Sequence, residues 1–430
     1  MFDRIALSMK TCLCIIFSAL TLPAAANPQL LWKFDFGDGK TADGYTQVKA
    51  DTLYTPELGY GFLPGPQIKP ENRKTGDALT EDFCTSDVPF FFTFAVPEEG
   101  NYRVTITLGD NKQATDTTVK AESRRLMAES LKTQPGEFIK RTFMVNIRNS
   151  QIDEKEKVRL KKREIGVMHW DNQLTLEFNG PRPCICGVEI KKENDVITVF
   201  LAGDSTVTDQ TKEPWTSWGQ MLTCFFTQEA AVANYAESGE TLRAFVGEKR
   251  LKKLLTQMKA GDYLFVQFAH NDMKRGTPEE IGYADSLKQF IDEAHQRGAY
   301  PVLVTSMHRR SFDEDGKVID TMQGFPDAMR AVAKEQKVPL IDLNAMSKAL
   351  YEALGSEGSA IAFVDGTHHN AYGAYEMARC VVQGIRTEVP ELARYLSPDT
   401  EPFNPAEPDP AASFSVPASP SATKEKPEGS

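Results

Sequence analysis

Hydrophobic and polar positions alternate in a strand-like way over the first half of the chain. Between residues 28 and 192 the apolar runs are short, rich in β-branched and aromatic side chains, and bounded by Gly, Pro, Asn or Asp. Such runs predict β-strands joined by turns, and their number suggests a β-sandwich or jelly roll. We predict strands at 30–36, 90–96, 102–108, 138–147, 173–178 and 184–190, with one candidate helical turn at 121–130.

The pattern changes near residue 195. The run VITVFLA at 196–202 is apolar throughout, as expected of a strand that is buried on both faces. Apolar strands then alternate with amphipathic helices, which predicts one α/β domain at 195–395 with a parallel sheet between two helix layers. Strands are predicted at 230–235, 263–269, 301–306 and 340–343, and helices at 215–228, 241–258, 278–297, 326–337 and 371–386.

Both ends of the chain differ from these two domains. An apolar run of a dozen residues at 11–22 follows Arg4 and Lys10 and precedes a triple alanine, which is typical of a signal peptide. We therefore expect residues 1–26 to be cleaved, leaving no membrane span and a secreted or periplasmic protein. The segment 398–430 is rich in proline and poor in large apolar groups, and its composition predicts a disordered tail.

Composition narrows the choice of partners. The 430 residues carry a formal net charge of −11, which argues against nucleic acid as a partner but not against an anionic substrate bound by local cations. Five cysteines follow the predicted signal peptide. This number is small and odd, which argues against a disulfide scaffold. Cys84 could pair with Cys184 or Cys186, or all could be small buried side chains; no spacing resembles a zinc site.

Polar residues follow four of the apolar segments, where ligands gather in an open parallel sheet. Ser205 follows the first predicted strand, Gly239 the second and Asn271 the third, while Asp365 and His368 precede the last helix. A carboxylate and an imidazole three residues apart can pair, and the imidazole can then accept a serine proton. Taken singly, each motif could equally be a helix cap or a turn. Their joint occurrence in one domain favours an active site.

These motifs resemble the four blocks of the SGNH/GDSL hydrolases, and in detail the rhamnogalacturonan acetylesterases. The matching stretches are LAGDSTVTD, NYAESGETLRAF, QFAHNDMKRG and DGTHHNAYGAYEMA. The resemblance implies a flavodoxin-like, three-layer domain and a Ser205–His368–Asp365 catalytic triad. It also implies an oxyanion hole made of the Ser205 and Gly239 N–H groups and the Asn271 amide. Position 269 is alanine, where these hydrolases often have glycine before His-Asn-Asp. Of the adjacent His368 and His369, the D-x-x-H spacing from Asp365 favours His368 as the catalytic residue.

The resemblance further implies a carbohydrate esterase that uses an acetyl-serine intermediate and needs no metal or organic cofactor. Its expected substrate is an acetylated polysaccharide or oligosaccharide, with pectin preferred over xylan. Arg309 and Arg310, together with Lys274-Arg275, could bind galacturonate carboxylates or could be solvated loop charges. His270 is a further candidate for substrate binding. An inactive carbohydrate-binding protein and a lipase remain the alternatives. The first domain resembles galactose-binding-like sandwiches, and a sugar-binding role there competes with a structural one.

Overall fold

β-Strands form the first half of the structure, and the predicted sandwich is confirmed. The computed structural model describes residues 30–427, so the predicted signal peptide at 1–26 lies outside the described residues. The sandwich contains β1 Leu31–Phe36, β2 Thr46–Val48, β3 Tyr60–Phe62, β4 Lys69–Asn72, β5 Asp82–Thr85, β6 Phe90–Ala95, β7 Gly100–Gly109, β8 Thr115–Ala121, β9 Arg125–Thr133, β10 Phe138–Ile147, β11 Gln173–Arg182, β12 Cys184–Ile185 and β13 Gly187–Glu193. Two sheets, ordered β10-β7-β13-β1-β2 and β3-β6-β11-β8-β9, form its faces.

Aromatic residues at alternate positions build the sandwich core. Phe90, Phe92 and Phe94 on β6 point to one face of their sheet because side chains alternate along a strand. Phe92 packs edge-on against Phe36 of the opposite sheet, with ring centroids 4.9 Å apart. Aromatic pairs in this geometry add to the stabilisation from burial alone.

The second half has the flavodoxin-like order expected of it. Five parallel strands run in the order β15-β14-β16-β17-β18, which is the order 2-1-3-4-5 along the chain. They are β14 Ile197–Gly203, β15 Ala230–Asn234, β16 Tyr263–Gln267, β17 Tyr300–Val304 and β18 Leu340–Ile341. Val199 and Leu201 of β14 pack into one hydrophobic cluster, and Phe200 and Ala202 into another on the opposite face. The sheet is therefore covered on both sides.

The helices of this domain are α1 Trp218–Met221, α2 Leu242–Gly247, α3 Arg250–Gln257, α4 Tyr283–Gln296, α5 Phe325–Gln336, α6 Leu343–Gly358, α7 Ala371–Glu388 and α8 Pro390–Ala393. The helix predicted at 241–258 is in fact two helices, because Lys249 adopts a left-handed φ of 66° between α2 and α3. The helix predicted at 215–228 is short and continues as a 3-10 turn, Leu222–Phe225. In the described residues no helix is both long and apolar enough to cross a bilayer.

A hairpin of the sandwich reaches into the α/β domain. The helical turn predicted at 121–130 is wrong, because β8 and β9 pair there as antiparallel strands. Beside the hairpin turn, the Arg125 Nε donates to Asp209 Oδ2 at 2.7 Å, and the Arg124 Nη1 donates to the Trp215 carbonyl at 2.9 Å. These side chains are buried, so the two domains are joined by paired charges as well as by apolar packing.

The connection between β10 and β11 (residues 148–172) also leaves the sandwich. It contains two 3-10 turns, Lys162–Glu164 and Met168–Trp170, that lie against the α/β domain. Both carboxylate oxygens of Glu164 accept hydrogen bonds from the guanidinium of Arg250 on α3, and both side chains are buried. A bidentate pair of this kind fixes the connection on the second domain.

The C-terminal segment packs against both domains over the described residues 398–427, which differs from the disordered tail predicted for 398–430. The Lys120 Nζ of the sandwich donates to the Pro417 carbonyl at 2.6 Å, and the Ser419 N–H donates to Glu213 Oε1 of the α/β domain at 3.0 Å. These polar contacts and the packing of Phe403 and Phe414 on the core of the α/β domain hold the segment. Neither is visible in the proline-rich composition on which the prediction rested.

All five cysteines among the described residues are unpaired, so the bridge considered for Cys84 is not formed in the structure. Cys84 and Cys184 nevertheless lie on paired strands, β5 and β12, where Cys184 is opposite Thr85. Both side chains are buried, which agrees with the alternative prediction that the cysteines are small core residues.

Candidate active site

Ser205 lies on a tight turn directly after β14. The carboxylate of Asp204 accepts the Thr206 N–H at 2.9 Å and the Thr206 hydroxyl at 2.8 Å, which closes the turn. The Ser205 Oγ then lies 2.9 Å from Nε2 of His368, although 163 residues separate them in the chain. This distance permits direct proton transfer from the hydroxyl to the imidazole.

Asp365 holds the other side of the His368 ring. Its carboxylate oxygens lie 3.1 and 3.0 Å from Nδ1, and Oδ1 also accepts the backbone N–H groups of Thr367 and His368 at 2.7 Å. Burial alone would raise the pKa of Asp365, but the hydrogen bonds from His368 and the backbone hold it well below its ordinary value. The ionised carboxylate therefore fixes the tautomer in which Nε2 accepts a proton.

The adjacent His369 has a different environment. Its Nε2 lies 2.9 Å from the Tyr351 hydroxyl, and its ring packs on Phe363 at 4.4 Å. Burial lowers the pKa of His369 to about 3. Of the two neighbouring histidines, the structure thus brings only His368 to Ser205.

Two backbone N–H groups next to the serine are unused. Within the part of the chain that the structure describes, neither the Ser205 N–H nor the Gly239 N–H donates to another protein group. Gly239 has a left-handed φ of 76°, which explains why glycine follows the second strand. The Asn271 amide donates one hydrogen to the Glu240 carbonyl at 3.1 Å and accepts from Lys274 at 3.1 Å, so its second hydrogen remains for a ligand.

The three residues predicted to bind substrate have different positions. His270 is buried, and its Nδ1 lies 3.6 Å from a carboxylate oxygen of Asp204, so it lies beneath the site rather than on its surface. Arg310 donates to the Ser356 carbonyl and to the hydroxyl of Ser359, at the end of α6. Arg309 is half-buried, and its Nη2 lies 3.4 Å from the His270 carbonyl.

Arg309 belongs to a group of cations at the edge of the site, here called the basic rim (Lys274, Arg309 and Lys426). Lys274 Nζ donates to Asn271 Oδ1 at 3.1 Å, and burial together with the positive charges of Arg309 and Lys426 lowers the pKa of Lys274. Lys426 Nζ also lies 3.2 Å from Oδ2 of Asp365. Sequence reasoning missed Lys426 because it had been assigned to the disordered tail.

A cavity of about 340 Å³ opens beside the triad. The Trp215 ring forms one wall and packs edge-on against His368, with centroids 5.6 Å apart. By contrast, Trp218 is a core residue bonded to Gln267, and Tyr235 is buried against Phe200. The rest of the lining comes from both domains and the C-terminal segment and is mostly polar or charged, with Val167 and Pro427 as the apolar exceptions; the polar residues include Arg163, His169, Gln210, Lys212, Glu237, Ser238, Glu425 and Lys426.

One carboxylate-histidine cluster has the spacing of metal ligands. Ligand atoms of Glu164, His169 and Glu237 lie within 4.8 Å of one another. Each carboxylate already has a guanidinium partner, Arg250 for Glu164 and Arg163 for Glu237 at 2.9 Å. Because these cations neutralise the acidic ligands, the cluster fits an ion-pair network better than a divalent cation.

Two family models match the chain. The GDSL-like Lipase/Acylhydrolase family matches residues 201–374, a range that contains Ser205, Gly239, Asn271, Asp365 and His368. The Beta-agarase/YXIM esterase-like, galactose-binding domain-like family matches residues 32–153 of the sandwich.

Named relatives agree with this division. The chain is 44% identical over 207 residues to the rhamnogalacturonan acetylesterase RhgT of Bacillus subtilis, covering 44% of this chain and 89% of that protein. It is 27% identical over 398 residues to the uncharacterized esterase YxiM of the same species, covering 87% of this chain and 96% of YxiM. The crystal structure of YxiM matches with a TM-score of 0.44 and 25% identity, covering 83% of this chain and 98% of that one.

Proposed function

Because the chain belongs to the GDSL-like lipase/acylhydrolase family of carboxylic ester hydrolases, we propose that it is a serine esterase that removes O-acetyl groups from a plant cell-wall polysaccharide, with acetylated rhamnogalacturonan as its substrate. The observation that carries the proposal is the continuous line of hydrogen bonds from Ser205 through His368 to Asp365. This arrangement activates a serine hydroxyl without a cofactor.

In the proposed reaction the Ser205 Oγ attacks the acetyl carbonyl while His368 Nε2 takes the hydroxyl proton. The tetrahedral intermediate collapses when His368 returns that proton to the departing sugar oxygen, leaving acetyl-serine. Water, deprotonated by the same imidazole, then attacks the acetyl group. The second tetrahedral intermediate collapses when His368 returns this proton to the Ser205 Oγ, which releases acetate and restores the serine hydroxyl. Asp365 remains ionised throughout and stabilises the imidazolium.

The negative charge of each intermediate needs hydrogen-bond donors in a fixed position. The unused N–H groups of Ser205 and Gly239 and the second amide hydrogen of Asn271 are assigned this role. Their distribution over three strand-end loops means that the hole forms only in the folded domain.

The choice of rhamnogalacturonan as the polysaccharide rests on the named relatives and on the charges around the site. The relative RhgT is named a rhamnogalacturonan acetylesterase. The basic rim places cations beside the triad of a chain whose net charge is −11, and galacturonate carboxylates are suitable partners for such cations. Most residues that line the cavity beside Trp215 are charged or polar, which favours a sugar over the long acyl chain that a lipase would bind. Acetylated xylan, which lacks the galacturonate of pectin, is the alternative substrate.

We also propose that the enzyme is exported and acts outside the cytoplasm. A polymer of plant cell walls is met outside the cell, and the signal-like sequence at 1–26 would export the enzyme. N-terminal sequencing of protein recovered from the medium or periplasm should begin after Ala26. A mature protein that keeps these residues in the cytoplasm would contradict export.

Acetate release tests the function directly. The purified protein should release acetate faster from acetylated rhamnogalacturonan than from acetylated xylan, and should also hydrolyse a small aryl acetate. Ser205→Ala should abolish all three activities. The control is Ser286→Ala, which removes a hydroxyl that, among residues 30–427, hydrogen-bonds to the Gly282 carbonyl at the start of α4 and to no catalytic residue. No acetate from any glycan, together with equal aryl-acetate rates for wild type and Ser205→Ala, would reject the esterase assignment.

A further inference from the structure

Two cations from the sandwich domain hold one carbonyl of the α/β domain. Lys161 Nζ donates to the Ser238 oxygen at 2.9 Å, and Arg163 Nη2 donates to the same oxygen at 2.6 Å. Both side chains come from the connection between β10 and β11 and are half-buried. A carbonyl with two charged donors is polarised more strongly than one in an ordinary turn.

The Ser238 carbonyl belongs to the same peptide group as the Gly239 N–H. The peptide is planar, so fixing the oxygen fixes the direction of the N–H on the other side of the C–N bond. Hydrogen bonds to the oxygen also withdraw electron density from the nitrogen, which makes the N–H a better donor, as in cooperative hydrogen-bond chains. The two cations therefore act on an oxyanion-hole donor without touching the substrate.

The rest of the loop is held in the same way. Arg163 Nε pairs with Glu237 Oε1 at 2.9 Å, and Lys161 pairs with Glu240. Each cation therefore binds one carboxylate of the loop as well as the Ser238 carbonyl. Asn271 binds the Glu240 carbonyl from the opposite side. Residues 237–240 thus have little freedom to rotate the Gly239 peptide.

The cations are themselves anchored. The Lys161 N–H donates to Glu164 Oε2 at 2.7 Å, and Glu164 is fixed by its buried pair with Arg250. Trp170 Nε1 adds a fourth hydrogen bond to Glu164 at 2.9 Å. The support is therefore set when the domains dock and needs no rearrangement during catalysis.

We propose that Lys161 and Arg163 are positioning residues for catalysis, and that the sandwich domain completes the oxyanion hole by orienting and polarising the Ser238–Gly239 peptide. This inference rests on the proposed function, in which the Gly239 N–H stabilises the intermediate. It gives the sandwich a part in the chemical step, separate from any binding of sugar.

The test compares kcat with KM on a small aryl acetate, which makes no glycan contacts. Removing one oxyanion-hole donor costs about 10²–10³ in kcat, so the double variant Lys161→Met/Arg163→Met should lose about 10- to 100-fold in kcat with KM changed less than about threefold. Arg163→Lys, which keeps a charged donor, should retain most of the rate. A simple boronic acid, which forms a tetrahedral adduct with serine, should bind the double variant more weakly by a factor similar to the loss in kcat.

A matched control separates this effect from domain docking. Glu99→Gln weakens another interdomain ion pair, that of Glu99 with Lys253 at 2.7 Å, which does not contact residues 237–240. It should lower Tm and leave kcat unchanged. If the double variant does not fold, the single variants Lys161→Met and Arg163→Met carry the test, because each keeps one cation on the carbonyl.

Three results would be decisive. Wild-type kcat and boronate affinity in folded variants would overturn the inference, as would an equal loss of kcat in Glu99→Gln. Aryl-acetate hydrolysis that survives Ser205→Ala would instead reject the proposed function, so the two failures are distinguishable.

Discussion

Asp365 has to be both partly buried and ionised for the triad to work. Its three hydrogen bonds from the 367–368 turn achieve this, and the resulting charge selects the His368 tautomer. We expect Asp365→Asn to lower kcat by about 10⁴, the effect of the same change in a serine protease triad, because the amide favours the wrong tautomer. Steady-state kinetics on an aryl acetate measure this, and a loss below tenfold would contradict it.

Within the described part of the chain, Asp272 has no ion pair, and its carboxylate accepts the Leu242 N–H at 3.1 Å. Burial raises the pKa of Asp272 to about 7, and the charge of Asp204 adds to this, against 3.8 for the free side chain. Between about pH 4 and 7 the folded protein therefore keeps a proton that the unfolded chain has lost. The free energy of unfolding consequently falls as pH rises through that window and stays reduced above it.

Asp272→Asn should remove this pH dependence while keeping an acceptor for the Leu242 N–H. Relative to wild type, the variant should gain up to about 4 kcal/mol in unfolding free energy between pH 4 and 8, at about 1.4 kcal/mol per tenfold change in proton affinity. Urea unfolding at several pH values measures it. Asp285→Asn, on the exposed face of α4, is the control, and a constant difference across pH would refute the prediction.

Sequence reasoning placed the residues of the site that occur in contiguous motifs. Ser205 directly follows a predicted strand and His368 precedes a predicted helix, so the sequence motifs identified both residues. Their 2.9 Å contact could not be predicted from the motifs. Lys161 and Arg163 gave no signal, because charged residues in a polar connection look like solvated surface. Their partners are determined by domain docking, which no local pattern encodes.

Among the elements, the hairpin of β8 and β9 shows where local propensity fails. The stretch AESRRLMAES at 121–130 is rich in helix formers. Pairing with β8 and burial of Leu126 and Leu131 in β9 override that preference, as tertiary contacts often do. By contrast, the continuous apolar run at 196–202 predicts its strand without tertiary information. Each predicted end lies one residue from the corresponding end of β14.

The C-terminal segment is an element whose removal should be costly. Truncation after Phe414 would leave Lys120 and Glu213 without the Pro417 carbonyl and the Ser419 N–H. Hydrogen bonds to charged groups contribute about 1.5–3 kcal/mol each, so we expect Tm to fall by several degrees in thermal unfolding. Truncation after Pro427 keeps every one of these contacts and is the control. An unchanged Tm after the longer truncation would show that the segment does not hold the domains.

At the scale of the whole molecule, buried charges from one domain find their partners in the other. Arg125 pairs with Asp209, and Lys253 with Glu99. Separated domains would leave these charges unpaired, which costs several kcal/mol for each broken pair. We therefore expect a single calorimetric unfolding transition for the full protein, and low solubility for residues 195–395 alone. Two well-separated transitions would contradict this.

Carbohydrate-active enzymes are commonly re-engineered by exchanging their accessory modules. In this protein the connection between β10 and β11 carries the cations that hold the Ser238 carbonyl. A chimera that keeps residues 195–395 and receives a foreign sandwich would lose those cations. Module exchange should therefore retain activity only when 148–172 is transplanted with the catalytic domain, so the recombination boundary for design lies inside the sandwich rather than at the linker.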